Sequence, residues 1–460
     1  MPPLSNMAVR DIETLIHPYT NLEGFRMTGP LILERAQGIY VWDSEGRQYI
    51  EGMAGLWCTA LGFNEPELIE AATAQLRKLP YEHQFAGKSH EPGIALAEKL
   101  KEMAPVPISK VLFCSSGSEA NDTQIKLAWY YNNARGKPKK KRIISRIKAY
   151  HGVTIASASL TGLAGNHRDF DLPLSFALHA DNPHHYRMAE PGESEAQFSQ
   201  RLAANLEALI EREDPETIAA FIAEPIMGAG GVILPPKGYF EAIEPVLKKH
   251  DIFFIDDEVI TGFARTGKMF GAETYNMHPH SITVAKALTS AYVPMSAVLI
   301  PDFIYEAMRA ESKKIGTFGH GYTFGGHPLG AAVGLKTLEL YERRNILGHV
   351  NAVAPRFAAR LAKLAEHPRI GEAVGKGLIG AVELVADKKT KTSFDPARAV
   401  AAQAARFCEA NGLIVRPLIG DRIAFCPPLI IKEDEIDALF DRFEKALEDL
   451  EVWLKKEGVG

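Results

Sequence analysis

A lysine and an aspartate carry the first chemistry legible in this 460-residue chain. Asp257 closes the apolar run IFFIDD, and Lys286 follows the run ITVA, 29 residues later (286 − 257). An ammonium at the end of a buried strand is costly to desolvate, and imine formation with an aldehyde removes that cost while requiring a lowered pKa. A carboxylate at a neighbouring strand end can hold a heteroaromatic nitrogen protonated, which makes its ring an electron sink. Alone, the lysine fits a surface charge, and the aspartate fits a metal ligand or a helix cap. Together they match the demands of a ring-bearing aldehyde.

Pyridoxal 5′-phosphate (PLP) is the cofactor with those demands: a Schiff-base lysine and a carboxylate beside the pyridine nitrogen. In CSSGSEANDT (114–123), Ser116, Gly117 and Ser118 place hydroxyls and backbone N–H groups at the start of a helical stretch, where an anion such as a phosphate is favoured. A plain helix start with Ser118 as N-cap fits the same residues. The segment lacks the GK[ST] of a Walker loop and the GxGxxG of a dinucleotide site. AYHG (149–152) can lay Tyr150 over a flat ring, AEPIMGAGG (223–231) offers Glu224 and glycines, and GHGYTFGGHP (319–328) is rich in small donors. Tyr150 as a core residue, Glu224 as a turn cap, and His320 and His327 as structural histidines remain open at this point.

These residues need a scaffold that brings strand ends together. Apolar, β-branched runs at 111–114, 142–145, 219–225, 252–256, 282–285 and 296–300 alternate with helical stretches, the pattern of a parallel α/β sheet. Such sheets bind ligands at the carboxyl ends of their strands, where the unusual residues fall. Residues 60–330 are expected to form this larger unit. Residues 1–59 and 331–460 are expected to form a smaller α+β unit from both termini, with strands at LIGAVELVA, LIVRPL and RIAFCPP. A final helix carries Ile436, Leu439, Phe440, Phe443, Leu447, Leu450 and Leu454 at three- and four-residue steps.

Composition narrows the classes. With 46% apolar and 24% charged residues and no apolar run long enough for a bilayer, the chain reads as a soluble globular protein. Its start lacks the basic-then-apolar order of a secretory signal, so a cytoplasmic address is the expectation. A net charge of −5 argues against nucleic-acid binding, and the basic run KPKKKR (137–142) is expected to be a solvated turn before a strand. Four scattered cysteines, Cys58, Cys114, Cys408 and Cys426, indicate neither a disulfide framework nor a metal site, and read as small buried residues.

Taken in order, SGSEAND, AYHG, EPxxGAGG, DEVxTGFxRTG, AKALTSAY and GYTxxGHP closely resemble the class III aminotransferases of PLP fold type I, within them the ω-transaminases that use pyruvate as amine acceptor. The resemblance runs from about Tyr40 to the final helix. It implies a ping-pong transaminase with Lys286 as the Schiff-base lysine, Asp257 at the pyridine nitrogen, Val259 under the ring and Tyr150 over it. His151 and Gly152 belong to the same cofactor-binding motif. Ser116, Gly117 and Ser118 would hold the phosphate, Thr323 would reach it from the partner subunit of a homodimer or tetramer, and Glu224 would lie near Asp257 and the ring hydroxyl. Tyr19, Trp57, Phe85 and Tyr150 would wall the substrate pocket. Arg416 would bind the keto-acid carboxylate and swing away for an uncharged amine; a structural salt bridge is its competing reading.

Four positions depart from that pattern. Ala264 stands where a glycine is expected, Asp256 precedes Asp257 and should point to the opposite strand face, and Glu82 and Gln84 make the wall near Phe85 more polar. Other PLP reactions, such as an aminomutase, racemase or decarboxylase, share the fold and cofactor, and a non-catalytic binding protein is the remote alternative.

Overall fold

The computed structural model describes residues 4–458; residues 1–3, the very start of the segment read for a signal, and 459–460 lie outside it. Its centre is a seven-stranded sheet in the order Lys110–Cys114, Ser296–Ile300, Ser281–Val284, Phe253–Asp257, Ile218–Ala223, Arg142–Arg146 and Ala177–Ala180. Every neighbouring pair is parallel except those made by Ser296–Ile300, which is antiparallel to both of its neighbours. That strand was grouped with the parallel runs by its composition. Its two reversals cancel, so the other six strands run one way and their carboxyl ends share one edge.

The inner strands are largely apolar because both sheet faces are covered. All six residues of Ile218–Ala223 are buried, and helix Gly117–Ala134 packs across the sheet. A continuous apolar strand is what a parallel, doubly covered sheet requires. Edge strand Ala177–Ala180 escaped the sequence reading, since Ala-Leu-His-Ala has weak strand propensity and its position is set by pairing with Arg142–Arg146.

Two four-stranded sheets hold the remaining strands. One contains Leu33–Gln37, Tyr40–Asp43, Gln48–Glu51 and Leu413–Ile414; the other contains Ile370–Lys376, Ile379–Leu384, Arg422–Phe425 and Arg416–Leu418. LIVRPL, read as one strand, therefore divides: Leu413–Ile414 pairs with Gln48–Glu51, and Arg416–Leu418 pairs with Arg422–Phe425. Helix Glu433–Lys456 buries the expected stripe, with Phe440 and Phe443 against Phe425. The basic run differs from expectation at one residue. Lys140 is fully buried, and its Nζ donates to the carbonyls of Ile218 (3.1 Å), His250 (3.0 Å) and Asp251 (3.0 Å), so it ties strand and helix ends together instead of facing solvent.

Candidate active site

A cavity of about 1190 Å³ lies at the shared strand edge. Ser115–Ser118 enter it after strand Lys110–Cys114, Tyr150–Gly152 after Arg142–Arg146, and Glu224, Asp257 and Lys286 at or just past the ends of Ile218–Ala223, Phe253–Asp257 and Ser281–Val284. The oppositely running strand contributes the residues before its start, Val293–Met295. Chain direction thus explains which residues of each loop reach the site.

Asp257 is fixed tightly. Its Oδ2 accepts from Asn121 Nδ2 (2.7 Å) and His151 Nδ1 (2.8 Å), and its Oδ1 accepts from the Val259 amide (3.1 Å). Asn121 also donates to the His151 carbonyl (2.7 Å), closing a knot between the helix and the Tyr150–Gly152 loop. Three donors hold this carboxylate in place. Glu224 lies in the same cavity, accepting from the Tyr150 amide (3.0 Å) and the Gly228 amide (2.9 Å), while burial raises its pKa.

Lys286 stands across the cavity in the left-handed region (φ 46°), a conformation that strains a side-chain-bearing residue. Burial lowers its pKa, with Cys58 and Asp257 acting in the opposite sense, as a lysine that must lose its proton requires. The phosphate candidates begin helix Gly117–Ala134. Ser116, not Ser118, is the N-cap, accepting from the Glu119 amide (3.2 Å), and Ser118 Oγ instead accepts from the Val153 amide (3.1 Å). The first-turn amides of Gly117 and Ser118 are N–H groups that the helix itself leaves free. A Cβ on Gly117 would meet both Val259 methyls at 3.2 Å, so this slot is closed to a larger residue.

The donor set fits PLP: free amides and hydroxyls for a phosphate, an anchored carboxylate for a protonated nitrogen, Val259 and Tyr150 for flat faces, and a buried amine for the aldehyde. The aminotransferase class-III family model matches residues 25–447. The chain belongs to the class III aminotransferases. It is a PLP-dependent transaminase of fold type I. It is 49% identical over 440 residues, 95% of this chain and 85% of the relative, to gamma aminobutyrate transaminase 1, mitochondrial, of Solanum lycopersicum. The structure of the omega transaminase from Pseudomonas jessenii in complex with PMP superposes with TM-score 0.96 at 50% identity, covering 98% of this chain and 99% of that one. A thermostable omega transaminase variant, with a tryptophan, a phenylalanine and an arginine replaced for asymmetric synthesis of enantiopure bulky amines, gives TM-score 0.95 at 50% identity over 97% and 100%.

Within this class III aminotransferase, the expected substrate residues divide. Tyr19, Trp57, Tyr150 and Arg416 line the cavity. Tyr19 also accepts from Asn166 Nδ2 (2.6 Å), and Trp57 is 3% exposed. Phe85 and Thr323 do not line it. Phe85 packs by Gly321, whose added Cβ would lie 3.0 Å from its ring, and the Thr323 carbonyl accepts from the Tyr81 hydroxyl (2.8 Å). Glu82 and Gln84, read as part of the same wall, likewise stay outside the cavity, Gln84 packing against Gly326. Phe85, Glu82 and Gln84 lie outside the cavity of this chain because the 81–87 segment packs against the 321–327 loop.

Other expectations resolve individually. Asp256 does point away from Asp257: it is fully buried outside the cavity, and burial beside Glu258 raises its pKa well above the usual carboxylate range. Ala264 sits at φ 71°, which explains why glycine suits that position. His320 bonds Thr123 Oγ1 (2.9 Å), and His327 Nδ1 accepts from the Leu329 amide (3.2 Å), so both are structurally engaged. Cys58 is not simply a buried apolar residue, since it lines the cavity. His184, Glu372 and Glu383 converge as metal ligands would, but the guanidinium of Arg422 occupies the position between them. Asn121 went unremarked in the sequence, although it lies four residues after Gly117, on the same helix face as the phosphate candidates.

Proposed function

We propose that this transaminase moves an amino group from an amine or ω-amino acid to a keto acid, pyruvate first among them, in two half-reactions sharing one cavity. The observation that carries the reading is Arg416. It lines the cavity that holds Lys286, and among the described residues it pairs with no carboxylate; burial and the phenols of Tyr150 and Tyr19 are what act on it. A guanidinium without a protein partner is a fork awaiting a carboxylate. For the competing reading, a structural salt bridge, no acceptor is found among the described residues. The related variant engineered for bulky amines by replacing a tryptophan, a phenylalanine and an arginine supports assigning substrate contact to these residue types.

Bound PLP supplies an aldehyde to receive the amino group and a ring to receive the electrons left when a proton leaves carbon. Lys286 would hold that aldehyde, and its Nζ, with a pKa lowered by burial, is the group placed to take the substrate proton and return it. Asp257 would secure the ring nitrogen, and Asn121, His151 and the Val259 amide hold it so that it need not reorganise as charge develops. Ser116, Gly117 and Ser118 would hold the phosphate, and Val259, Tyr150, His151, Gly152 and Glu224 line the cavity where the ring would lie. Trp57 and Tyr19 exclude water from the donor's apolar group.

A homodimer completes the site in this reading. Thr323 and Phe85 lie together outside their own cavity, and Phe85 and neighbouring Phe324 are exposed (48% and 61%), which supports their serving a second copy. The cysteines, three buried and none paired, suit a reducing compartment, and we place the protein in the cytoplasm. A panel of aryl-alkyl amines, diamines, β-alanine and γ-aminobutyrate against pyruvate, read as alanine formed, tests the assignment. Alanine from several donors supports it. Turnover with 2-oxoglutarate but not with pyruvate would overturn the choice of acceptor.

A further inference from the structure

Beneath the substrate wall lies a buried acid that the transamination chemistry does not use. Glu51 ends strand Gln48–Glu51 and is 5% exposed. Its Oε1 accepts from the Met53 amide (2.9 Å), and the nearby Gly55 amide also acts to lower its pKa. Those amides belong to the segment that carries Trp57 into the cavity. The segment is strained: Ala54, Gly55 and Trp57 all have positive φ (48°, 66° and 65°), costing about 1–2 kcal/mol at each non-glycine residue. Such a backbone persists only where its surroundings over-determine it. The ties are the Glu51 carboxylate from below, together with the Ala54 carbonyl, which accepts from the Cys58 amide (3.0 Å) and Thr59 Oγ1 (3.1 Å). Glu51 also pairs in register with Ile414, two residues before Arg416. It therefore sits under the junction of the aromatic wall and the arginine.

We propose that Glu51 is a positioning residue for substrate specificity: its carboxylate grips the 53–57 backbone, fixes Trp57 against the donor, and so limits the size of amine the cavity admits. This rests on the proposed function above, in which Trp57 contacts the donor. Burial pushes the Glu51 carboxyl up to about 7, against the lowering effect of its two amide donors. The titratable side chain facing it is the Cys426 thiol, itself raised by burial, and among the described residues no cation acts on Glu51. The amide donors favour the charged form over the same buried acid without them. With Glu51 kept buried, the charged carboxylate above about pH 7 therefore grips the backbone, and the neutral acid below it accepts more weakly and lets the wall loosen.

The test uses the PLP-loaded enzyme and two amines of similar basicity, 1-phenylethylamine and the bulkier 1-phenylpropylamine. Their kcat/KM ratio cancels the protonation of donor and lysine. In wild type the ratio should move at least threefold toward the bulkier amine from pH 8 to pH 6, mainly through KM, and in Glu51→Gln it should stay constant. Independently, hydrogen exchange of the 53–57 amides, corrected for intrinsic rate, should accelerate at least threefold over the same interval in wild type. A ratio that shifts equally in both proteins, or wild-type amides whose protection does not change, would overturn the proposal. Failure of both amines to convert the cofactor would instead count against the proposed function, and the exchange measurement would still decide the role of Glu51.

Discussion

Replacing Arg416 with alanine separates the two half-reactions. In the structure this guanidinium lines the cavity without a carboxylate partner among the described residues, so truncation leaves no buried protein charge unpaired. What is lost is the pair with the keto-acid carboxylate. A charge-assisted hydrogen-bonded pair is worth about 2–3 kcal/mol, and at 1.4 kcal/mol per decade that is roughly 30- to 140-fold in the pyruvate half-reaction. An uncharged aryl-alkyl amine makes no such pair, so its half-reaction should change by less than about 1 kcal/mol, the net scale of one neutral contact. Single-turnover rates for each half, followed through the cofactor absorbance, give the two numbers separately. Arg416→Lys should recover only part of the loss, because a point charge cannot reproduce the planar fork. Equal losses in both halves would show that Arg416 supports the fold, and an unchanged pyruvate rate would place the carboxylate elsewhere.

The other expectations concern the cofactor and the second subunit. Borohydride reduction of the loaded enzyme followed by peptide mapping should put the pyridoxyl group on Lys286; a label on another lysine ends that assignment. Asp257→Asn should retain cofactor yet lose about 3 kcal/mol of transition-state stabilisation, on the order of 100-fold in turnover, and near-normal turnover would refute its role at the ring nitrogen. Lys286→Ala and Thr323→Ala should each be impaired alone, and mixed, refolded subunits should regain activity, because a hybrid dimer joins one intact lysine to a partner with an intact threonine. No recovery in hybrids shown to form would mean that Thr323 does not act across subunits.

Much of this site is legible in sequence because parallel sheets impose a rule: chemistry follows the carboxyl ends of apolar strands. Asp257, Lys286, Glu224 and Tyr150 each obey it, and the structure gathers them around one cavity. Asn121 is harder to find, since it lies inside a helix and only the fold brings it to 2.7 Å from Asp257. Lys140 misleads for the converse reason. Its neighbours are basic and its run looks solvated, but three carbonyls left by strand and helix ends create a buried place for an ammonium. Strand Ile370–Lys376 is hidden because IGEAVGK is broken by two glycines, and pairing with Ile379–Leu384 supplies what propensity lacks.

The substrate side is less legible because it depends on where one strand ends and another begins. LIVRPL has the composition of a single strand, yet Leu413–Ile414 joins one sheet and Arg416–Leu418 another. Val415 is the crossing point, and Arg416 begins the second pairing beside the cavity. A guanidinium on the first residue of a short strand, next to a sheet crossing, has a fixed base and a free end. That placement suits a side chain that must meet a carboxylate in one half-reaction and leave room for an apolar group in the other. Glu51 bears on the same junction from the opposite strand, through its register with Ile414. The aromatic wall and the arginine thus share one support, and a change at Glu51 should be felt first in which donors are accepted, before it is felt in the chemistry at Lys286.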